Sequence, residues 1–307
     1  MRNRRSLLIL LAVVVIWGTS WANMKIGLNY STPMSYLWQR LFFSTLMMAP
    51  FLLSRRNLAR RMDKRILAYV AVSALAWIFS QILTMSGLGS TSSGMSSILT
   101  YTQPLFVFGI SALLHRTGAT RLKAASVLLG FAGIGMIYWE SLGNGVGSAQ
   151  AILFLLLGGF LWAVSIVSYK LTSDAISPFW MVFGEFALGS VLVLPFTLTA
   201  GGVQFSTELP YVLSLAYMTV VSTVVGYSLW FILLRDEDTV TVSSSSLLVP
   251  VIAFGAGVFL LGEEINVNQA LGIAMVLAGV YLVNRKPSKE NGGVNQRSLS
   301  KSPIRNQ

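Results

Sequence analysis

The chain has 307 residues, of which 54% are hydrophobic and only 11% charged, and its mean hydropathy is +0.68. A soluble domain carries about 25% charged residues, so lipid rather than water must solvate much of this exterior. Cysteine is absent and histidine occurs once, at His115, which excludes disulfide frameworks, thiolate chemistry and histidine-cluster metal sites. The net charge of +11 falls in short basic clusters between apolar runs, a distribution that argues against nucleic acid as a partner.

A helix needs about 20 mostly apolar residues to cross about 30 Å of hydrocarbon. Ten segments qualify: 6–24, 34–53, 66–88, 92–113, 122–140, 149–170, 178–199, 210–233, 240–261 and 267–284. Turn formers separate them, among them Ser31-Thr32-Pro33, Gly143-Asn144-Gly145, Ser177-Pro178 and Glu208-Leu209-Pro210. The segments are too long for barrel strands, and only internally bonded helices satisfy the backbone in lipid. The expected fold is therefore all-α, a polytopic membrane protein of ten transmembrane helices. With ten alternating spans and a cytoplasmic N-terminus, 20 of the 22 Lys and Arg residues lie inside, as the positive-inside rule requires. Lys25 falls outside and Arg40 within a span. Both termini are then cytoplasmic, in the inner membrane, and residues 285–307, rich in Ser, Asn and Lys, read as a disordered tail.

The first span has a rival reading as a signal peptide, with a basic start, an apolar stretch and small residues near Ser20 and Ala22. An internal repeat opposes it. Shifted by 145 residues, Trp17 falls on Trp162, Ser20 on Ser165, Lys25 on Lys170, Pro33 on Pro178 and Pro50 on Pro195. With one further residue, Pro104 meets Pro250. The first span thus corresponds to an internal one, the sixth, and a removable leader has no reason to match it. Units of five spans, 6–140 and 149–284, enter the membrane from opposite faces, which makes the pair an inverted repeat. In secondary transporters that arrangement places the substrate site near the midplane, between the repeats.

Several motifs resemble the EamA-type repeats of the drug/metabolite transporter superfamily. They are Trp17-Gly18-Thr19-Ser20 and its echo Trp162-Ala163-Val164-Ser165, the Pro104 and Pro250 spans, Leu261-Gly262-Glu263-Glu264, Leu271-Gly272 and Ala278-Gly279-Val280-Tyr281. The first unit departs from this pattern, with His115-Arg116-Thr117-Gly118 where the second has Leu-Gly-Glu-Glu. The resemblance implies a transporter of small metabolites, with amino acids or related compounds exported.

Two charges inside spans carry the site reading. Arg40 and Glu185 are 145 residues apart and so occupy equivalent places in spans two and seven. Each lies roughly 10 Å deep, from opposite faces, at a cost of about 2.5–3.5 kcal/mol at a helix centre. Arg40 would attract anionic groups, and Glu185 would bind an amine or couple transport to a proton; alternatively both side chains snorkel to the interfaces. Gln81, Tyr101, Gln103, Tyr227 and Asn23 also fall inside spans, either to meet substrate or to bond neighbouring helices. Gln103 precedes Pro104, which frees a backbone carbonyl. Trp17, Trp21 and Trp162 form an apolar floor or act as interfacial anchors. Ser243 to Ser246 reads as a small-residue packing face, and Lys170, Asp174 and Arg235-Asp236-Glu237-Asp238 as solvated loop charges.

The sequence holds no Gly-rich phosphate loop ending in Lys-Ser or Lys-Thr and no nucleophile paired with a base. An enzyme is not expected, nor a metal or other cofactor. The reading is a secondary-active exporter of amino acids or related compounds working by alternating access. Multidrug or toxic-amine efflux is the alternative, and a channel-like or scaffold protein a more distant one. The partners expected are a small-molecule substrate, the lipid bilayer and, in a homodimer, a second copy of the chain.

Overall fold

Helix boundaries fall where a residue can end or start a hydrogen-bond ladder. Ser148 and Ser177 accept from the backbone N–H groups of Ala151 and Trp180, and Asp238 accepts from Thr241 N, each capping a helix start. Proline, which has no N–H to waste, opens the helices at Pro33, Pro178 and, one residue in, Pro210. The computed structural model of the chain describes residues 4–53, 64–91, 93–114, 120–137, 139, 148–253 and 267–284. The Gly143 turn, His115-Arg116-Thr117-Gly118, Leu261-Gly262-Glu263-Glu264 and the tail at 285–307 lie outside these residues.

Among the described residues the regular structure is all helical, in ten successive units. They are α1 (Arg4–Gly27), α2 (Pro33–Leu53), α3 (Lys64–Gly89), α4 (Ser93–Thr100 continuing as Gln103–Leu113), α5 (Arg121–Ile137), α6 (Ala149–Lys170), α7 (Pro178–Thr199), α8 (Leu209–Asp236), α9 (Thr239–Ala253) and α10 (Val267–Asn284). Five of them, α1, α3, α6, α7 and α8, are long and apolar enough by themselves to cross a membrane. Exposed Leu, Val, Phe and Ile side chains run along their outer surfaces, as lipid contact requires. The chain is a polytopic membrane protein.

The packing obeys an exchange rule. Adding five to a helix number, or subtracting it, converts each principal contact into another that is also present. Helix α3 packs on α6 and α1 on α8, while α2 pairs with α7 and α5 with α10. The α5–α10 contact is reciprocal at atomic level. A methyl group on Gly133 would stand 2.6 Å from the Gly272 carbonyl oxygen, and one on Gly279 2.7 Å from that of Ser126. Gly133 and Gly279 are 146 residues apart, as are Ser126 and Gly272. Small residues thus let the two backbones touch, the usual basis of helix association in lipid. The halves are two inverted five-helix repeats, as the 145-residue offset predicts.

Both α4 and α9 break at equivalent points. The helical ladder lapses at Tyr101-Thr102 and again at Ser246-Leu247, 145 residues apart and a few residues before Pro104 and Pro250. The break therefore lies N-terminal to the proline, because the missing N–H and the ring disfavour helix in the turn ahead of it. Ser243 to Ser246 are buried, and Ser245 accepts a hydrogen bond from Asn284 of α10 at 2.9 Å, which fits a packing face.

The lysines of the repeat are not solvated loop charges. Lys25 ends α1 and donates to the carbonyls of Leu88 (3.0 Å) and Thr91 (2.8 Å) at the end of α3. Lys170 ends α6 and donates to those of Leu234 (2.7 Å), Arg235 (2.9 Å) and Glu237 (2.8 Å) at the end of α8. Each ammonium neutralises the negative end of a neighbouring helix dipole. Glu237 is buried and Asp238 bonds Lys123, whereas Asp174 is exposed, and Arg235 pairs with Asp236 near the surface.

Candidate substrate cavity between the repeats

The site is built from helix faces. On α1, Trp17, Ser20, Trp21 and Met24 recur at helical spacing along one face, and on α3 Ser80, Gln81, Thr84 and Met85 do the same. Together with Arg40 of α2, Thr100 and Tyr101 at the break of α4, Trp162 of α6, and Met218, Ser222 and Tyr227 of α8, they line a cavity of about 520 Å³, counting its mouth.

Helix α8 is irregular where it meets this cavity. Residues Tyr217–Val225 form a π-helix, a departure that rearranges backbone carbonyls and is frequent at functional sites. The carbonyl of Ser222 accepts from Trp17 Nε1 at 3.2 Å, and its hydroxyl accepts from Ser20 at 2.8 Å. The counterpart of Ser20, Ser165 of α6, bonds Ser73 of α3 at 3.2 Å. The same serine position therefore ties each repeat to the other.

Aromatic rings form the walls. Trp17 lies 5.7 Å from Trp162, 5.1 Å from Tyr227 and 5.1 Å from Trp230, and Tyr101 bridges Trp21 and Trp162. All are buried, so these tryptophans are core and cavity groups and not interfacial anchors. Trp77 meets Tyr227 edge-on at 5.1 Å and Phe186 at 5.7 Å.

Arg40 is 3% exposed and does not snorkel. Its Nη2 donates to Gln81 Oε1 at 2.6 Å and its Nη1 faces Met24 Sδ at 3.7 Å, while Nε has no partner. The ion pairs among the described residues are Lys123–Asp238 and Arg235–Asp236, so this guanidinium is held in the cavity wall without a carboxylate. A charge in such a place costs several kcal/mol in relaxed protein interiors, and charged residues within spans commonly mark substrate or ion pathways.

Seven of the sequence-derived site residues, Arg40, Trp17, Trp21, Trp162, Gln81, Tyr101 and Tyr227, share this cavity. Two do not reach it. Glu185 is fully buried in α7 and neither carboxyl oxygen has a hydrogen-bond partner. It lies within electrostatic range of Tyr227 and Tyr169, and Phe186, Trp77 and Tyr227 form the aromatic layer beside it. Gln103 is fully buried just past the α4 break with both side-chain polar atoms unpartnered, and it is not among the residues lining the cavity. Asn23 bonds the Thr19 carbonyl of its own helix. As site residues, sequence reasoning missed Ser20, Met24, Ser80, Thr84, Met85, Thr100, Met218 and Ser222. Extending the helical spacing from Trp17 and Gln81 reaches the first five. The three on α4 and α8 depend on the break and the π-turn, which leave no periodic signal.

A bundle of inverted repeats around a cavity lined by the buried cation Arg40 fits the class of membrane transporters. Residues 4–139 and 149–285 each match the model of the EamA-like transporter family, and the chain belongs to that family. It is 25% identical over 300 residues to the uncharacterized transporter YvbV of Bacillus subtilis, covering 96% of this chain and 97% of that protein. It is also 25% identical to a "Probable amino-acid metabolite efflux pump" of Salmonella typhimurium, over 293 residues, 91% of this chain and 95% of the relative. A protein of the same description from Escherichia coli is 25% identical over 295 residues, 91% of this chain and 95% of its own. One solved crystal structure superposes with a TM-score of 0.76 over 92% of this chain and 97% of its own at 15% identity, a likeness of fold.

Proposed function

We propose that the protein is a secondary-active exporter of amino acids or related carboxylates, working by alternating access in the cytoplasmic membrane with both termini in the cytoplasm. The observation that carries this reading is Arg40: a buried guanidinium with an unpartnered N–H, in the wall of a cavity that Trp17, Trp21, Tyr101, Trp162 and Tyr227 also line. A carboxylate would satisfy the cation, and Trp17, Trp162 and Tyr101 would cover an apolar side chain. The printed names of the Salmonella and Escherichia relatives support efflux of amino-acid metabolites, and the distribution of basic residues supports the orientation. Glu185 is the acidic residue deepest within a span and the proposed proton-coupling group. An unpartnered carboxylate in an apolar interior is costly to keep charged, so it serves naturally as a place to hold a proton.

Counterflow in proteoliposomes tests the reading. The expected result is saturable exchange of labelled apolar amino acids. Arg40→Gln should raise the half-saturation concentration about tenfold or more, the equivalent of losing one charge-assisted hydrogen bond of about 1.5–3 kcal/mol. Glu185→Gln should retain exchange and lose acceleration by a pH gradient. Absence of counterflow with every amino acid, or unchanged kinetics in an Arg40→Gln protein that inserts normally, overturns the proposal.

A further inference from the structure

We infer that Arg40 and Glu185 face the central cavity by turns, so that the site presents a cation towards one membrane face and a carboxyl group towards the other. This rests on the transporter reading and goes beyond it, because it assigns opposite charge selectivity to the two access states of one site.

The first support is equivalence of place. Arg40 and Glu185 are 145 residues apart in helices, α2 and α7, that pack on each other. Their surroundings also correspond. Arg40 faces Met24 and bonds Gln81. Glu185 lies in electrostatic range of Tyr169 and Tyr227, which stand 145 and 146 residues after Met24 and Gln81.

The second support is that the structure breaks this equivalence. The cavity occupies the side where α1 ends and α2 begins, and Arg40 lines it. On the other side, where α6 ends and α7 begins, the side chains at the corresponding positions pack against one another. Tyr169, the counterpart of Met24, packs edge-on against Phe231 at 4.5 Å, and Trp230 and Phe231 are buried to 2% exposure or less. Glu185 sits in that packed half with both oxygens unpartnered. Inverted repeats change access by exchanging the conformations of their halves. Applied here, the exchange opens the volume beside Tyr169, brings Glu185 to the cavity wall and withdraws Arg40 into packing. Tyr227, within range of both charges and lining the present cavity, stands at the divide. A solute with both an ammonium and a carboxylate has a partner in each state, whereas a simple anion or cation has one in only one.

The chain contains no cysteine, so single-cysteine labelling on the full-length protein reads each state without knowledge of the substrate. The equivalent positions Ser20→Cys and Ser165→Cys, in sealed vesicles of known orientation, would be labelled with sulfonatoethyl (anionic) and trimethylammonioethyl (cationic) methanethiosulfonate. Rates are normalised to a free thiol. The expected result is that Ser20→Cys reacts from the face where α1 ends, favouring the anionic reagent on the order of fivefold, and loses that preference with Arg40→Gln. Ser165→Cys should react from the opposite face with the preference reversed, and Glu185→Gln should remove it. The pair Met24→Cys and Tyr169→Cys repeats the comparison where loss of the Ser165–Ser73 bond impairs folding. The same preference at both positions, a preference indifferent to Arg40→Gln and Glu185→Gln, or no labelling of the second position from its own face overturns the inference. Failure of amino-acid counterflow with alternating labelling intact removes the substrate reading alone.

Discussion

Replacing Lys170 by methionine tests whether the repeated lysines are structural clasps. The substitution keeps the aliphatic stem and removes an ammonium that donates to three carbonyls at the end of α8. One of the three contacts is solvent-exposed, so that carbonyl regains water and contributes little. The other two are partly buried. They share one charge, so their contributions do not simply add, and a loss of about 2–3 kcal/mol is expected, combining charged hydrogen bonds with the helix dipole. Lys25→Met also removes two partly buried contacts and should cost the same, about 2–3 kcal/mol, on the same reasoning. In detergent, at about 2–4 °C per kcal/mol, Lys170→Met and Lys25→Met should each melt several degrees below the wild-type protein. Lys170→Arg, which retains the charge, should recover most of the loss. Melting of Lys170→Met at the wild-type temperature, or equal melting of Lys170→Met and Lys170→Arg, would refute the clasp.

Three further outcomes follow from the packing. Gly133→Ala and Gly279→Ala place a methyl group against a backbone carbonyl that cannot move aside, and each should destabilise the protein by about 1–3 kcal/mol; Gly184→Ala, with nothing within 4 Å, should be neutral or stabilising in the same melting assay. Asp238→Ala removes the cap of α9 and should cost about 1 kcal/mol, while Asp238→Asn keeps the acceptor and should cost less; the Lys123 ion pair, with Asp238 38% exposed, contributes little in either case. Gln81→Leu removes the acceptor that holds Arg40 Nη2; half-saturation for transported carboxylates should shift with little change in melting temperature, and a large stability loss with unaltered affinity would make Gln81 a structural group.

The fold was legible because its signals are one-dimensional. Span count follows from runs of apolar residues long enough to cross lipid, and inversion follows from an odd number of spans per copy, so Trp17 with Trp162 and Lys25 with Lys170 sufficed to reveal it. Which side chains meet was not legible. A helix in lipid is apolar on every side, and the face it turns inward leaves little amphipathic trace. Gln103 and Tyr227 are alike as sequence signals, yet Gln103 is buried outside the cavity lining while Tyr227 lines it beside Ser222 of the π-turn. Lys25 and Lys170 announced their equivalence without announcing their task, because helix ends find their partners only in three dimensions.

Arg40 and Glu185 show the division most plainly. The sequence by itself determined that they are equivalent and opposite, since repetition is a property of order along the chain. Tertiary structure alone decided that one borders the cavity while the other is sealed. Two equal halves cannot both be open around one central site, so packing must choose between them.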